Sequence, residues 1–260
     1  MKIKKNYAFT LIETMVALVI STIAVAAMYN AYLFFNKSYQ GLLDKAAISN
    51  AGRTSLSVIA KDLRNAGYKD MNYSRAFDRW IEQTNNYNST QADSLVIWYN
   101  TSPTERLRIR YYLKKYSTGK EMFLAREVVE NPTNSPKLRH CQRYKTQKNC
   151  EPQNIVPFVT DFQVVFKDAN GNELRPVCAD KKTVSNAAPS TPGCSTAGKA
   201  NQSKVHTAEV YLTVRSPNPI NKTQKKYRIA NADSDRTLPP DNYHRETFYI
   251  SVYLRNIVKI

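Results

Sequence analysis

The stretch from Phe9 to Phe35 constrains this chain more than any other: 27 residues, nearly all apolar, interrupted by one carboxylate, Glu13. Residues 1–8 carry Lys2, Lys4 and Lys5 and no acid. A lysine patch ahead of an apolar run is how a secretory signal starts, but such signals have apolar regions of about 7–15 residues, and this one is longer. At about 1.5 Å per residue it can cross a bilayer as a helix. A carboxylate inside it costs roughly 2.5–3.5 kcal/mol on insertion scales. Glu13 therefore needs a partner or a task, unless it is a stray acid of a signal anchor, hydrated near the interface.

Helical periodicity continues past the apolar run. From Asn36 to Ala66 there is no proline, and Leu42, Leu43, Ala46, Ala47, Leu56, Ile59, Leu63 and Ala66 recur at spacings of three and four. The opposite face carries Asp44, Lys45, Arg53, Lys61, Asp62 and Arg64, and Gly67 supplies a C-terminal stop. One helix from Phe9 to Ala66 would be roughly 85 Å long. Gly41 and Gly52 are expected weak points along it, and Asp62 and Arg64 are expected on its wet side.

Beyond the helix the pattern turns to strands. Residues 70–92 read as a polar connection in which Phe77, Trp80 and Ile81 anchor a short helix. Ser94–Tyr99 is an apolar strand. Leu107, Ile109, Tyr111 and Leu113 then alternate with Arg108, Arg110, Tyr112 and Lys114, and Glu121–Val129 follows, which predicts antiparallel strands with one buried and one basic face. Phe158–Lys167 runs into Asp168-Ala169-Asn170-Gly171-Asn172-Glu173, a turn that also imitates half of a calcium loop but lacks the later glutamate. His206–Val214 and Phe248–Leu254 are the last two strands, separated by a polar excursion over 218–242. The fold class is therefore α+β, with a long N-terminal helix packed on an antiparallel β-rich head. The expected organisation is a leader at 1–8, a membrane or filament-core helix at 9–35, its amphipathic continuation at 36–67 and the head at 68–260.

Composition limits the chemistry. The formal charge is +17 with a pI near 9.7, but the lysines and arginines are scattered and form no recognised nucleic-acid motif. Two basic stretches stand out: Arg106, Arg108, Arg110, Lys114 and Lys115, and Lys222, Lys225, Lys226 and Arg228. The cysteines Cys141, Cys150, Cys178 and Cys194 all follow the apolar helix. An even count in an oxidising compartment suggests disulfides, of three possible pairings. No Cys-x-x-Cys supports zinc. His140, His206 and His244 belong to no metal or nucleophile motif, and no phosphate-binding glycine loop is present. We expect no metal, no cofactor and no enzymatic activity.

Ala8-Phe9-Thr10-Leu11-Ile12-Glu13 resembles the prepilin signal of type IV pilins and of type II secretion pseudopilins. The resemblance implies that prepilin peptidase cuts between Ala8 and Phe9 and that the new Phe9 amine is methylated. Ala8 stands where the family usually has glycine, and is likewise small. Glu13 would become the fifth residue of the mature chain. A buried carboxylate is tolerated opposite a positive charge, and cleavage creates one on Phe9. The amine of one subunit meeting the acid of its neighbour would fix axial register, so Glu13 is expected to act in assembly.

Two further segments resemble PilW-like minor pilins: Asp62-Leu63-Arg64-Asn65-Ala66-Gly67-Tyr68 at the helix end, and Tyr253-Leu254-Arg255-Asn256 near the C-terminus. The resemblance implies a minor pilin that primes pilus assembly and sits at or near the tip, supporting twitching motility, adhesion or DNA uptake. Its expected partners are other minor pilins, the major pilin, prepilin peptidase, the inner membrane and the inner-membrane pilus assembly platform. It would cross the inner membrane once with its head in the periplasm, and stand at the cell surface after assembly. The alternatives are a J-type pseudopilin of type II secretion, or a tip subunit that binds DNA directly through its basic strands.

Overall fold

The computed structural model describes residues 10–70, 80–84, 94–103, 105–115, 122–132, 152–174, 177, 201–220, 223–229 and 236–257. Ala8, Phe9, Phe77, Lys222, His140 and the four cysteines lie outside them. The long helix among the described residues, α1, runs Leu11–Asn65 without a break. Residues 1–46 form one compact unit and residues 47–260 a second.

In the first unit α1 is long and apolar enough to cross a membrane, by length and composition. Its large apolar side chains are exposed all round, between 80% at Leu11 and 46% at Leu33. A helix that is hydrophobic on every side is one made to be enclosed by lipid or by other helices.

The second unit holds the rest of α1 and three antiparallel sheets. Strands β1 (Ile81–Thr84), β2 (Ser94–Asn100), β3 (Glu105–Lys115), β4 (Met122–Pro132) and β5 (Gln153–Val156) pair in sequence order as a five-stranded meander. Strands β6 (Val159–Lys167), β7 (Thr207–Pro219) and β10 (Tyr243–Tyr253) form a second sheet in the order β10-β7-β6, and β8 (Lys225–Ile229) pairs with β9 (Arg236–Asp241). Ile48, Leu56, Ile59 and Leu63 of α1 join one core with Leu95, Ile97, Ile109 and Leu124 of the first sheet and Phe162, Val164, Leu212 and Phe248 of the second. The long helix packed on antiparallel sheets is the α+β arrangement that the residue pattern predicts.

The turn after β6 is built as the Asn-Gly spacing requires. Gly171 has φ of 82°, and Asp168 Oδ1 accepts from the backbone N–H groups of Asn170 and Asn172 at 2.9 and 2.8 Å. Only two residues, Pro157 and Phe158, carry the chain from β5 in one sheet to β6 in the other. Phe158 makes that corner with φ of 57°, an unusual value for an aromatic residue. Its carbonyl accepts from the Arg215 N–H at 2.9 Å, which helps to hold the corner.

Four expectations are corrected. Trp80 and Ile81 are not helical: Ile81 opens strand β1 and pairs with Ile97, and Trp98 N–H donates to the Trp80 carbonyl at 2.9 Å, while Phe77 lies outside the described residues. The polar excursion at 218–242 contains the β8–β9 hairpin, and β5 was not foreseen. Gly52 is not a weak point but a close approach, since a Cβ there would lie 2.3 Å from the Phe248 ring. Asp62 is not on the wet face; it is 4% exposed and belongs to the core side of α1.

Candidate functional site

The N-terminus of α1 gives Glu13 a partner within its own chain. Thr10 donates its backbone N–H and its hydroxyl to Glu13 Oε2, both at 2.9 Å, and the Glu13 N–H donates back to Thr10 Oγ1 at 3.4 Å. This is a reciprocal capping box, with Thr10 as N-cap and the acid three residues on. The Thr-x-x-Glu spacing that signals it is legible at Thr10-Leu11-Ile12-Glu13 and supplies Glu13 with a partner other than the expected Phe9 amine. Both Thr10 donations fall on one carboxylate oxygen.

Further along the apolar segment Ser21, Thr22 and Asn30 fold back on the helix. Ser21 Oγ donates to the Ala17 carbonyl at 2.7 Å, Thr22 Oγ1 to Val19 at 2.8 Å and Asn30 Nδ2 to Ala26 at 2.9 Å. Each removes a donor from the surface that lipid or a neighbouring helix would meet, where an unsatisfied group costs several kcal/mol.

The end of α1 is fixed by charge and by capping. Asp62 accepts from the Tyr111 hydroxyl and from Arg126, whose Nε and Nη2 both lie 3.0 Å from Oδ2. Arg126 Nε also donates to the Tyr111 hydroxyl oxygen at 3.1 Å. Tyr111 and Arg126 face each other across β3 and β4 on the helix side of the sheet. Burial and then the adjacent Asp62 charge push the Tyr111 hydroxyl well above its ordinary range. Burial works against the Arg126 charge, but the Asp62 contacts outweigh it and raise its pKa. Three polar groups thus satisfy one another in a low-dielectric site, the condition under which buried charge is tolerated.

Just beyond, Gly67 adopts φ of 76° and donates its N–H to the Trp98 carbonyl at 2.9 Å. A Cβ on Gly67 would meet Ile257 Cγ1 at 2.9 Å. Asn256 Nδ2 donates to the Arg64 carbonyl at 2.9 Å. The two segments singled out at opposite ends of the sequence therefore meet, and the C-terminal Asn256 caps the helix that carries Asp62.

The basic strand splits by alternation. Arg106, Arg108, Arg110 and Lys114 share the face of β3 turned away from α1, while Lys115 falls on the other. The Arg106 guanidinium lies 4.5 Å from the Trp98 ring centroid, Arg108 5.7 Å from the same ring, and Arg110 4.6 Å from that of Tyr112. Lys225, Lys226 and Arg228 are exposed on β8. His206 stacks edge-on against Tyr253 with centroids 4.6 Å apart, and His244 lies in β10. No cluster of three metal-ligating side chains occurs among the described residues.

Residues 3–29 match the family model described as the prokaryotic N-terminal methylation motif. No curated protein matches the chain. Among solved structures, a type IV-like pilin from Thermus thermophilus is similar over 81% of this chain and 97% of its own length, with a TM-score of 0.49 and 14% identity. The chain therefore carries a prepilin-type methylation signal over residues 3–29, with Glu13 and its Thr10 cap inside it.

Proposed function

We propose that this protein is a minor pilin of a type IV pilus, of the PilW-like kind, acting as a structural subunit and not as an enzyme. The observation that carries this is the methylation motif at residues 3–29 on a 55-residue helix whose first part is apolar on every side. A motif of this kind calls for a membrane peptidase at Ala8-Phe9, and an all-apolar helix can leave the bilayer only by entering another apolar assembly. Glu13 then sets register. Its carboxylate, held by Thr10, receives the Phe9 amine of a neighbouring subunit. The head stands in the periplasm before assembly and at or near the pilus tip afterwards, beside other minor pilins. Pilus-dependent motility, adhesion and DNA uptake depend on it through assembly.

The test is N-terminal mass spectrometry of the protein from sheared pili and from membranes, for the wild type and Glu13→Val. The expected result is a chain starting at N-methylated Phe9, present at low stoichiometry in the sheared fraction and lost from it in the variant. An uncleaved chain starting at Met1 and confined to membranes would overturn the proposal. A processed chain that appears outside the cell only when a type II secretion system is present would assign it to a pseudopilus.

A further inference from the structure

We infer that the free edge of β10 is a strand-addition site, which takes an extended acidic segment of a different protein chain along Thr247–Tyr253. This goes beyond the assembly role and takes from it only the membrane-spanning helix. Leu254 N–H donates to the His206 carbonyl at 2.9 Å, one residue past the Tyr253–Thr207 pair of the β7–β10 ladder. Bonded and non-bonded pairs alternate in an antiparallel ladder. Phe248, Ile250 and Val252 therefore bond to β7, while Thr247, Tyr249, Ser251 and Tyr253 turn their N–H and C=O groups away from it. Among the described residues nothing pairs with those groups.

The other edges among the described strands are blunted in the ways that prevent strand addition. Strands β1 and β5 have four residues each. On the outer edge of β6, Gln83 Nε2 donates to the Val164 carbonyl. Strand β8 carries Lys225 and Lys226, and β9 carries Pro240. Residues 246–253 of β10 contain no lysine or proline, and the register runs unshifted from Arg245 to Tyr253.

The chemistry of the occupant follows from what flanks the edge. On the helix side Phe248 and Val252 are 7% and 2% exposed, but Ile250 between them is only half-buried, so an apolar residue opposite it would complete the cover. On the other side Tyr249, Ser251 and Tyr253 are exposed, which suits polar residues. The segment thus alternates apolar and polar. Just past the edge Arg255 is exposed with no ion-pair partner among the described residues, on a chain of +17, so an acid at that end is complementary. A second copy is the wrong occupant. Antiparallel pairing of two β10 edges needs a two-fold axis normal to the sheet, which reverses the α1 packed on it and sends the two helices opposite ways.

The experiment reads residue-resolved amide hydrogen exchange on the full chain in non-ionic detergent micelles. In the chain alone, Thr247, Tyr249, Ser251 and Tyr253 should exchange fast while Phe248, Ile250 and Val252 exchange slowly. The probe is the peptide acetyl-Asp-Thr-Val-Thr-Val-Thr-Val-Thr-amide at millimolar concentration, which should slow the four edge amides by about tenfold, as one hydrogen bond each implies. The same residues reordered with the valines adjacent should not. Ser251→Pro removes one outward N–H without touching β7 and should weaken the peptide by about tenfold, while Ser251→Ala should leave it unchanged. Slow exchange at Phe248 and Val252 in the proline variant shows that the ladder is intact, and the wild-type comparison stands without it. Edge amides already slow in the chain alone, slowing that grows with the chain's own concentration, or a peptide effect that is absent or indifferent to residue order would each overturn the inference. The readout is on the purified chain, so it fails or succeeds separately from the cleavage and pilus tests of the proposed function.

Discussion

Asp62 of α1 and Arg126 of β4 lie 3.0 Å apart, nitrogen to oxygen, in a site where the Asp62 side chain is only 6% exposed. Removing one member of such a pair strands the other. Asp62→Ala should therefore lower the stability of the head by about 3–5 kcal/mol in urea denaturation. Replacing the trio together, as Asp62→Leu, Tyr111→Phe and Arg126→Met, leaves no unpaired charge. That triple variant should be more stable than Asp62→Ala alone, and the reverse order would refute the account.

Gly52 sits against the ring of Phe248. Alanine in a helix interior is favoured over glycine by about 1 kcal/mol. Forcing a methyl group to within 2.3 Å of a ring costs about 1–3 kcal/mol in a packed core. Overpacking wins, so Gly52→Ala should lower the Tm. Phe248→Leu in the same chain should restore part of the loss, a coupling expected of residues in contact and measurable as a double-mutant cycle.

Arg245 donates two hydrogen bonds to Asp241 and holds its carboxyl below the usual carboxylate range, against the opposing effect of partial burial. A depressed folded-state value means that the pair contributes stability above the unfolded pKa, about 3.9, and that this is lost as pH falls through the folded value. Between pH 6 and pH 3 the Tm of the wild type should fall more than that of Asp241→Asn. Parallel curves would show that the pair does not contribute.

Asn256 supplies a donor to the Arg64 carbonyl at the end of α1. Asn256→Ala should cost about 0.5–1.5 kcal/mol and speed amide hydrogen exchange over residues 64–68. Unchanged exchange would mean that Gly67 and its bond to Trp98 terminate the helix without help from the C-terminus.

The long helix was legible because its cause is local. Apolar side chains without proline dictate helix from Leu11 onward, and Gly67 ends it where a left-handed residue is needed. Strands β3, β7 and β10 were legible from alternation, and β2, β4 and β6 from short strand-forming runs. The short strands were not: β1, β5, β8 and β9 have four to six residues each, too few for a period of two to stand out.

The site divides in the same way. Thr10 and Glu13 find each other through a spacing of three, which the sequence contains in full. Asp62 and Gly52 occupy the buried stripe too: Asp62 follows Ile59 by three, and Gly52 follows Ile48 by four. The spacing places them inward, but residue type argues the other way, because a charge is read as solvated and a glycine as a flaw. What decides between these is whether a partner waits across the interface. Tyr111 and Arg126 are distant in sequence from Asp62, as Phe248 is from Gly52, and only the folding of strands onto the helix brings them there. The sequence by itself determined a membrane-length helix with a capped acid at its start and a β-rich head. The tertiary structure decided which polar residues are buried, because burial of a charge is favourable only where another chain segment supplies its counter-charge and hydrogen bonds.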